Sequence, residues 1–155
     1  MRAADPADPS RSKTPSPRSG TTVIVADASV LVVALADDGS DGDQARARLH
    51  GERLTVPELA DLEIASVLRR QMKSGILNAR RARLALDDLA ALPARRAPHR
   101  PLLPRCWELR DNLTIYDAAY VALAEATNTT LLTADQKLAR APGPQCPIEL
   151  FRAAP

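Results

Sequence analysis

The sequence predicts an α/β protein, an α/β/α sandwich around a short-stranded, mostly parallel central sheet. Three observations carry this. Val23-Ile24-Val25-Ala26, Leu54-Thr55-Val56, Thr130-Leu131-Leu132 and Ile148-Glu149-Leu150-Phe151 are short apolar runs of the kind that form buried strands. Longer Ala- and Leu-rich stretches with helical spacing lie between them. The two kinds alternate along the chain, as in a sheet built from βαβ units.

Residues 1–20 carry four of the thirteen prolines and no large hydrophobe, so they read as a disordered tail on which function does not depend, ahead of one domain over 21–155. The strand at 23–26 ends at Asp27, and the apolar stretch 28–36 is helical. Residues 37–42 read as a loop, with Asp43 capping a helix that stops at Gly51. A second strand at 54–56 leads to Pro57, placed at the start of a helix running to about Lys73. Asn78 caps a further helix to about Leu92. Four prolines make 93–104 mostly connection, followed by a helix over 104–111. Thr114-x-x-Asp117 has the pattern of a capping box and opens a helix to Thr127. Strand 130–132, a short helix over 135–141 and a last strand at 148–151 complete the domain.

Composition narrows the function classes. The chain has 155 residues and 45% hydrophobic content, enough for a core without staples. No apolar run approaches the roughly 18 residues of a membrane span, and the start has no apolar segment of a secretory signal. Cys106 and Cys146 make neither a disulfide framework nor a zinc quartet, and they fit reduced thiols in a cytoplasmic protein. Four aromatic residues leave little for a base-stacking sheet. The formal charge of +2 hides a polarised chain. Residues 21–68 are net −6, residues 69–110 net +8 and residues 111–155 net −2.

The acids fall at telling places. Asp27 and Asp135 each lie just past a strand, where ligand sites of parallel sheets form. Asp117 lies in the first turn of its helix, where the macrodipole favours negative charge. Glu63 borders an apolar stripe of Leu59, Leu62, Ala65 and Leu68, in line with Ser66 and Arg70. Such an acid is costly unless paired or bound to a cation. Four carboxylates meeting in one place would raise each other's pKa and call for a hard cation, Mg²⁺ or Mn²⁺. Such a centre activates a water and stabilises the leaving oxygen of a phosphodiester. It needs no Ser, Cys or His nucleophile, and His50 and His99 lie in no recognisable motif. Each acid also has a plainer reading. Asp27 and Asp135 fit helix caps, Asp117 a capping box, and Glu63 a salt bridge at the border of a buried face.

Four motifs contain these acids: Val23-Ile24-Val25-Ala26-Asp27-Ala28-Ser29, Glu63-Ile64-Ala65-Ser66-Val67-Leu68-Arg69-Arg70, the run from Leu113 through Thr114-Ile115-Tyr116-Asp117 to Glu125, and the run from Leu131 through Thr133-Ala134-Asp135 to Arg140. Together they resemble the PIN domain family, specifically VapC-type toxins of type II toxin–antitoxin pairs, over residues 22–151. The resemblance implies an acidic quartet of Asp27, Glu63, Asp117 and Asp135 around Mg²⁺ or Mn²⁺, with Asp27 and Asp117 as the most direct ligands. Ser29, Ser66 and Thr133 would hold the acids or a water. Ser66 stands where the family often has Asn. The resemblance further implies an endoribonuclease cutting structured RNA of the tRNA or rRNA class, a homodimer, and a cognate antitoxin that blocks the site.

The basic middle segment fits phosphate contacts beside an acidic centre, although many of its members fit solvated helix faces as well. Arg70, Arg110 and Tyr116 are the candidate RNA contacts. Trp107, among Leu102, Leu103 and Leu109, reads as core packing, with a partner-groove anchor as the second reading. Other functions compatible with the pattern are a stand-alone RNA-processing nuclease of the same family and a non-catalytic RNA-binding module on this scaffold. A phosphoacceptor receiver domain fits less well, because its first strand wants paired acids and only Asp27 is present.

Overall fold

The computed structural model describes residues 22–153. The stretch read as a tail lies outside the described residues. Five strands form one sheet: β1 (Val23–Ala26), β2 (Arg53–Pro57), β3 (Arg95–Ala97), β4 (Thr130–Thr133) and β5 (Ile148–Leu150). Their order is β3-β2-β1-β4-β5, and every pairing is parallel. Seven α-helices connect them: α1 (Ala28–Ala36), α2 (Ser40–Leu49), α3 (Leu59–Lys73), α4 (Ala79–Ala91), α5 (Leu103–Glu108), α6 (Ile115–Ala126) and α7 (Gln136–Arg140).

The order of the strands explains where a site can form. The chain starts at β1, moves outward to β2 and β3, then returns through α6 to β4 on the other side of β1. The direction of winding reverses between β1 and β4, which opens a crevice beyond their carboxyl ends. The central strands are buried because helices cover the sheet, and a parallel sheet needs both faces dry. Val25, Ala26, Leu131 and Leu132 have no exposure. Helix α6 is set deep against the sheet, with Ala118 through Ala124 all buried.

Several elements differ from the expectation for identifiable reasons. Helix α2 begins at Ser40, three residues before Asp43, so the second half of the expected loop is helical. Gly42 makes this possible, since a Cβ there would collide with the Asp37 carbonyl oxygen. Pro57 ends β2 beside Ala97 instead of opening α3. Strand β3 lies inside the segment read as connection. Its sequence, Arg-Arg-Ala, carries no hydrophobic signature, because it is an edge strand held from the side. Arg96 donates to the carbonyls of Leu89, Leu92 and Ala94, and its Nε and Nη2 also reach Asp61. One guanidinium therefore closes the end of α4 and fixes the strand after it.

The buried stripe of α3 is Ala60, Ile64 and Leu68, while Leu62 is 76% exposed. The helix is thus rotated from the expected stripe of Leu59, Leu62, Ala65 and Leu68. Trp107 is likewise not core. It is 64% exposed, and Arg110 lies over its ring at 5.0 Å. Helix α5 buries Cys106 and, beyond its end, Leu109, which leaves residue 107 on the outer side.

Candidate active site

Asp27 stands at the end of β1, tied to β4 by its backbone N–H, which donates to the Leu132 carbonyl at 2.9 Å. It is 4% exposed. One carboxylate oxygen, Oδ2, accepts from Ser29 Oγ and, at 2.7 Å, from Thr133 Oγ1. Ser29 Oγ in turn accepts from the Ala134 N–H at 2.9 Å, and Thr133 Oγ1 from the Asp135 N–H at 3.0 Å. Ser29 and Thr133 thus lock the first and fourth motifs together around one oxygen of Asp27. Thr133 is fully buried, so its hydroxyl serves the network and not solvent.

Glu63 reaches the same crevice from the second turn of α3. Its Oε2 accepts a 2.8 Å hydrogen bond from the Tyr120 hydroxyl. Tyr120 has no exposure, so α6 presents a fixed donor to α3 through the core. Asp117 lies one turn earlier on α6. Its N–H donates to Thr114 Oγ1 at 3.1 Å, and the Thr114 hydroxyl donates to Asp117 Oδ2 at 2.7 Å. The N-cap half of the predicted capping box is therefore present, but the Asp117 carboxylate is met by the Thr114 hydroxyl and not by the Thr114 N–H.

These three carboxylates feel one another. Burial pushes the Asp27 carboxyl above its ordinary pKa; hydrogen bonds from Ser29 and Thr133 oppose this, and the Asp117 charge adds to it. Burial also raises Glu63, the Tyr120 bond opposes, and Asp27 and Asp117 raise it further. The Tyr120 hydroxyl is pushed far up by burial and by its acceptor Glu63, and stays protonated as a donor. Among the described residues, Asp27, Glu63 and Asp117 have no Arg, Lys or His ion-pair partner.

Asp135 stands apart in its side chain. Its Oδ1 accepts from the N–H groups of Lys137 and Leu138, at 2.7 and 3.4 Å, capping α7. Its backbone N–H joins the Asp27 network through Thr133. Among the described residues Ser66 makes no hydrogen bond to any acid; it lies exposed on α3, beside Glu63 on the wall of a cleft. The expectation that it would hold an acid is not met, since its short side chain faces solvent. Arg70 is exposed, two turns beyond Glu63 and roughly 10 Å further along the helix. Arg110 is held over Trp107, with its Nη1 donating to the Trp107 carbonyl at 2.7 Å. Tyr120 is the residue that sequence reasoning missed. Its spacing of three from Asp117 was the available signal, hidden by its place in a buried apolar run.

The donor set can be tested against a cation. Among the described residues, no three acidic, His or Cys side chains are already drawn into a ready ligand set. Three mutually repelling, partly buried carboxylates without a basic partner are nevertheless what a hard divalent ion satisfies. Asp27, Glu63 and Asp117 offer only oxygen, as Mg²⁺ and Mn²⁺ prefer.

Comparison with known proteins places the chain in a family. Residues 24–144 match the PIN domain family. The chain is 48% identical over 126 residues to "VapC ribonuclease Mb0985" of Mycobacterium bovis, covering 81% of this chain and 96% of that protein. The chain belongs to the PIN domain family, and within it to the VapC ribonucleases. Among solved structures, PAE2754 of Pyrobaculum aerophilum superposes with a TM-score of 0.62 at 23% identity, covering 82% of this chain and 83% of that one. VapBC2 of Rickettsia felis, bound to a DNA fragment from their promoter, superposes with a TM-score of 0.61 at 14% identity, covering 84% and 99%. At these identities both superpositions speak for the fold.

Proposed function

We propose that this chain is a divalent-metal-dependent endoribonuclease, the toxin of a toxin–antitoxin pair, acting in the cytoplasm on structured RNA of the tRNA or rRNA class. One observation carries the reading. Asp27, Glu63 and Asp117 come from three separate elements to the crevice between β1 and β4, and no basic side chain among the described residues neutralises them. Asp27 and Asp117 would hold Mg²⁺ or Mn²⁺ most directly, with Glu63 beside them and Asp135 at the rim. When bound, the cation supplies an activated water and charge stabilisation for the leaving oxygen of a phosphodiester. The protein's own groups do the positioning. Ser29 and Thr133 fix the Asp27 carboxylate, Tyr120 fixes Glu63, and Thr114 fixes Asp117. Exposed arginines of the basic middle segment, Arg70 among them, lie free to meet phosphates.

Kinship with VapC ribonucleases supports RNA as substrate. Likeness to VapBC2 of Rickettsia felis supports a cognate antitoxin for this chain. A homodimer belongs to the same proposal. Among the described residues no helix is long and apolar enough to cross a membrane.

The test is RNA cleavage with Mg²⁺ or Mn²⁺, with EDTA, and with Asp27→Asn and Asp117→Ala. Chelation and either substitution should lower the rate by more than about 100-fold, since even groups that only support metal ligands are worth 10–100-fold. Asp27→Asn should still fold, and without metal its Tm should match or exceed that of the parent. Asn keeps an acceptor for Ser29 and Thr133 while removing a buried charge. Undiminished cleavage by both variants would refute the site.

A further inference from the structure

Next to Glu63 is a cleft of about 350 Å³ lined by Leu59, Leu62, Glu63, Ser66 and Tyr116. We propose that it seats one nucleobase of the RNA, adjacent to the phosphodiester that is cut, with Tyr116 as the stacking face. This rests on the ribonuclease reading and adds to it a specificity subsite.

The walls of the cleft are unusually open. Tyr116 is 66% exposed and Leu62 is 76% exposed, although the chain has only four aromatic residues. Tyr116 sits one helical turn before Tyr120 on α6. Tyr120 is fully buried and spends its hydroxyl on Glu63, whereas the Tyr116 hydroxyl has no hydrogen-bond partner among the described residues. One tyrosine builds the site, and the other is left at its mouth, next to Asp117 in the chain.

The chemistry of the lining fits a base. A ring face beside leucine side chains accepts a planar base, and every base has a π-face to offer. The Ser66 hydroxyl, unused within the described protein, can give or take a hydrogen bond at the base edge. The volume lies at the small end of the range for ligand pockets, roughly 300–1,000 Å³, which suits one base better than a peptide segment.

Glu63 decides the occupant, because it is both a wall of the cleft and a member of the acid cluster. A strand laid across the acids for cleavage therefore has its neighbouring base at the opening. The cleft is small and carries Glu63 and Ser66 beside its apolar lining, so it offers a partner to the edge of a base as well as to its face.

The test uses the full chain and oligoribonucleotides carrying 2-aminopurine at successive positions. In an Asp27→Asn background, where RNA binds without being cut, fluorescence at one position should be quenched by stacking. Adding Tyr116→Ala should remove the quench and weaken Kd roughly 10- to 100-fold, as loss of a stacked base does; Tyr116→Phe should retain both. In the cleaving protein, Tyr116→Ala should raise KM and blur the preferred cleavage position, with kcat much less affected. If the parent cuts RNA and Tyr116→Ala cuts at the same positions with the same KM, the subsite is wrong. If the parent cuts no RNA at all, the ribonuclease reading falls, and absence of quenching at every position then overturns the subsite as well. Dissociation of a dimer by Tyr116→Ala or Leu62→Ala, with cleavage preference unchanged, would assign the cleft to a second copy and overturn it.

Discussion

The carboxylates of this protein divide by the company they keep. Around α2, α5 and the α4–β3 junction, acids are met by arginine forks. Arg48 bridges Glu52 and Glu149, Arg96 holds Asp61, and Arg105 grips Glu125 with two nitrogens while contacting Glu108. In the crevice between β1 and β4, the side chains of Asp27, Glu63 and Asp117 are met by hydroxyl donors: Ser29, Thr133, Tyr120 and Thr114. An arginine satisfies a carboxylate and consumes its charge. A hydroxyl orients the carboxylate and leaves the charge available. The first arrangement staples elements together, and the second keeps a negative cluster ready for a cation at a cost in stability.

This contrast also divides the basic middle segment. Arg81, Arg83, Arg96 and Arg105 are occupied by Asp38, Asp87, Asp61 and Glu125. Among the described residues, Arg69, Arg70, Lys73, Arg80, Arg95 and Arg100 are exposed and have no ion-pair partner. With Arg110 set over Trp107 and 3.9 Å from Asp111, the second group is what remains free for phosphate, so the net +8 overstates the binding surface.

Substitutions on either side of this divide should act differently. The largest effect is expected from Thr133→Val, which keeps shape but removes the hydroxyl that orients Asp27. Mn²⁺ affinity by calorimetry should fall about 10- to 100-fold. Unchanged affinity would show that the hydroxyl belongs to folding alone.

On the stapled side, Arg105→Ala should cost about 2 kcal/mol, since charged hydrogen bonds contribute roughly 1.5–3 and Arg105 is partly solvated. That corresponds to a Tm drop of about 4–8 °C for a domain of this size. Burial alone would raise the Glu125 pKa, but Arg105 and the Gln145 N–H hold it below its ordinary value of 4.5. The pair's stabilisation is therefore complete above about pH 4.5 and is lost as pH falls through the lower folded-state value. Thermal melts across that window should show this loss, and Glu125→Gln should flatten it.

The smallest effect concerns Asp135, whose side chain belongs to the capping group although its backbone belongs to the crevice. Asp135→Ala should cost about 1 kcal/mol through the lost cap, and Asp135→Asn much less. If Asn preserves stability yet loses cleavage, Asp135 contributes charge to the metal as well as a cap.

The elements with a local signal were legible in the sequence. Strands β1 and β4 are continuous apolar runs, the α6 N-cap lies within four residues, and each acid stands at a recognisable strand end or helix turn. What failed was what depends on neighbours distant in sequence. Strand β3 exists because Arg96 and β2 hold it, and Arg-Arg-Ala says nothing of this. The rotation of α3, the outward face of Trp107 and the place of Ser66 on a cleft wall depend on which side of a helix meets the sheet. Spacing narrows that choice but does not settle it.

The alternation of strands and helices, the positions of the four acids and the family they resemble are local properties of the sequence, because caps, strand ends and motifs are encoded within a few residues. Which acids share a crevice, which arginines remain free, and the reach of Tyr120 through the core to Glu63 emerge from long-range packing. Those facts follow from the reversal of winding between β1 and β4. It brings residues 27, 63, 117 and 133 together from four separate stretches of chain, and burial then fixes which partner each polar group can reach.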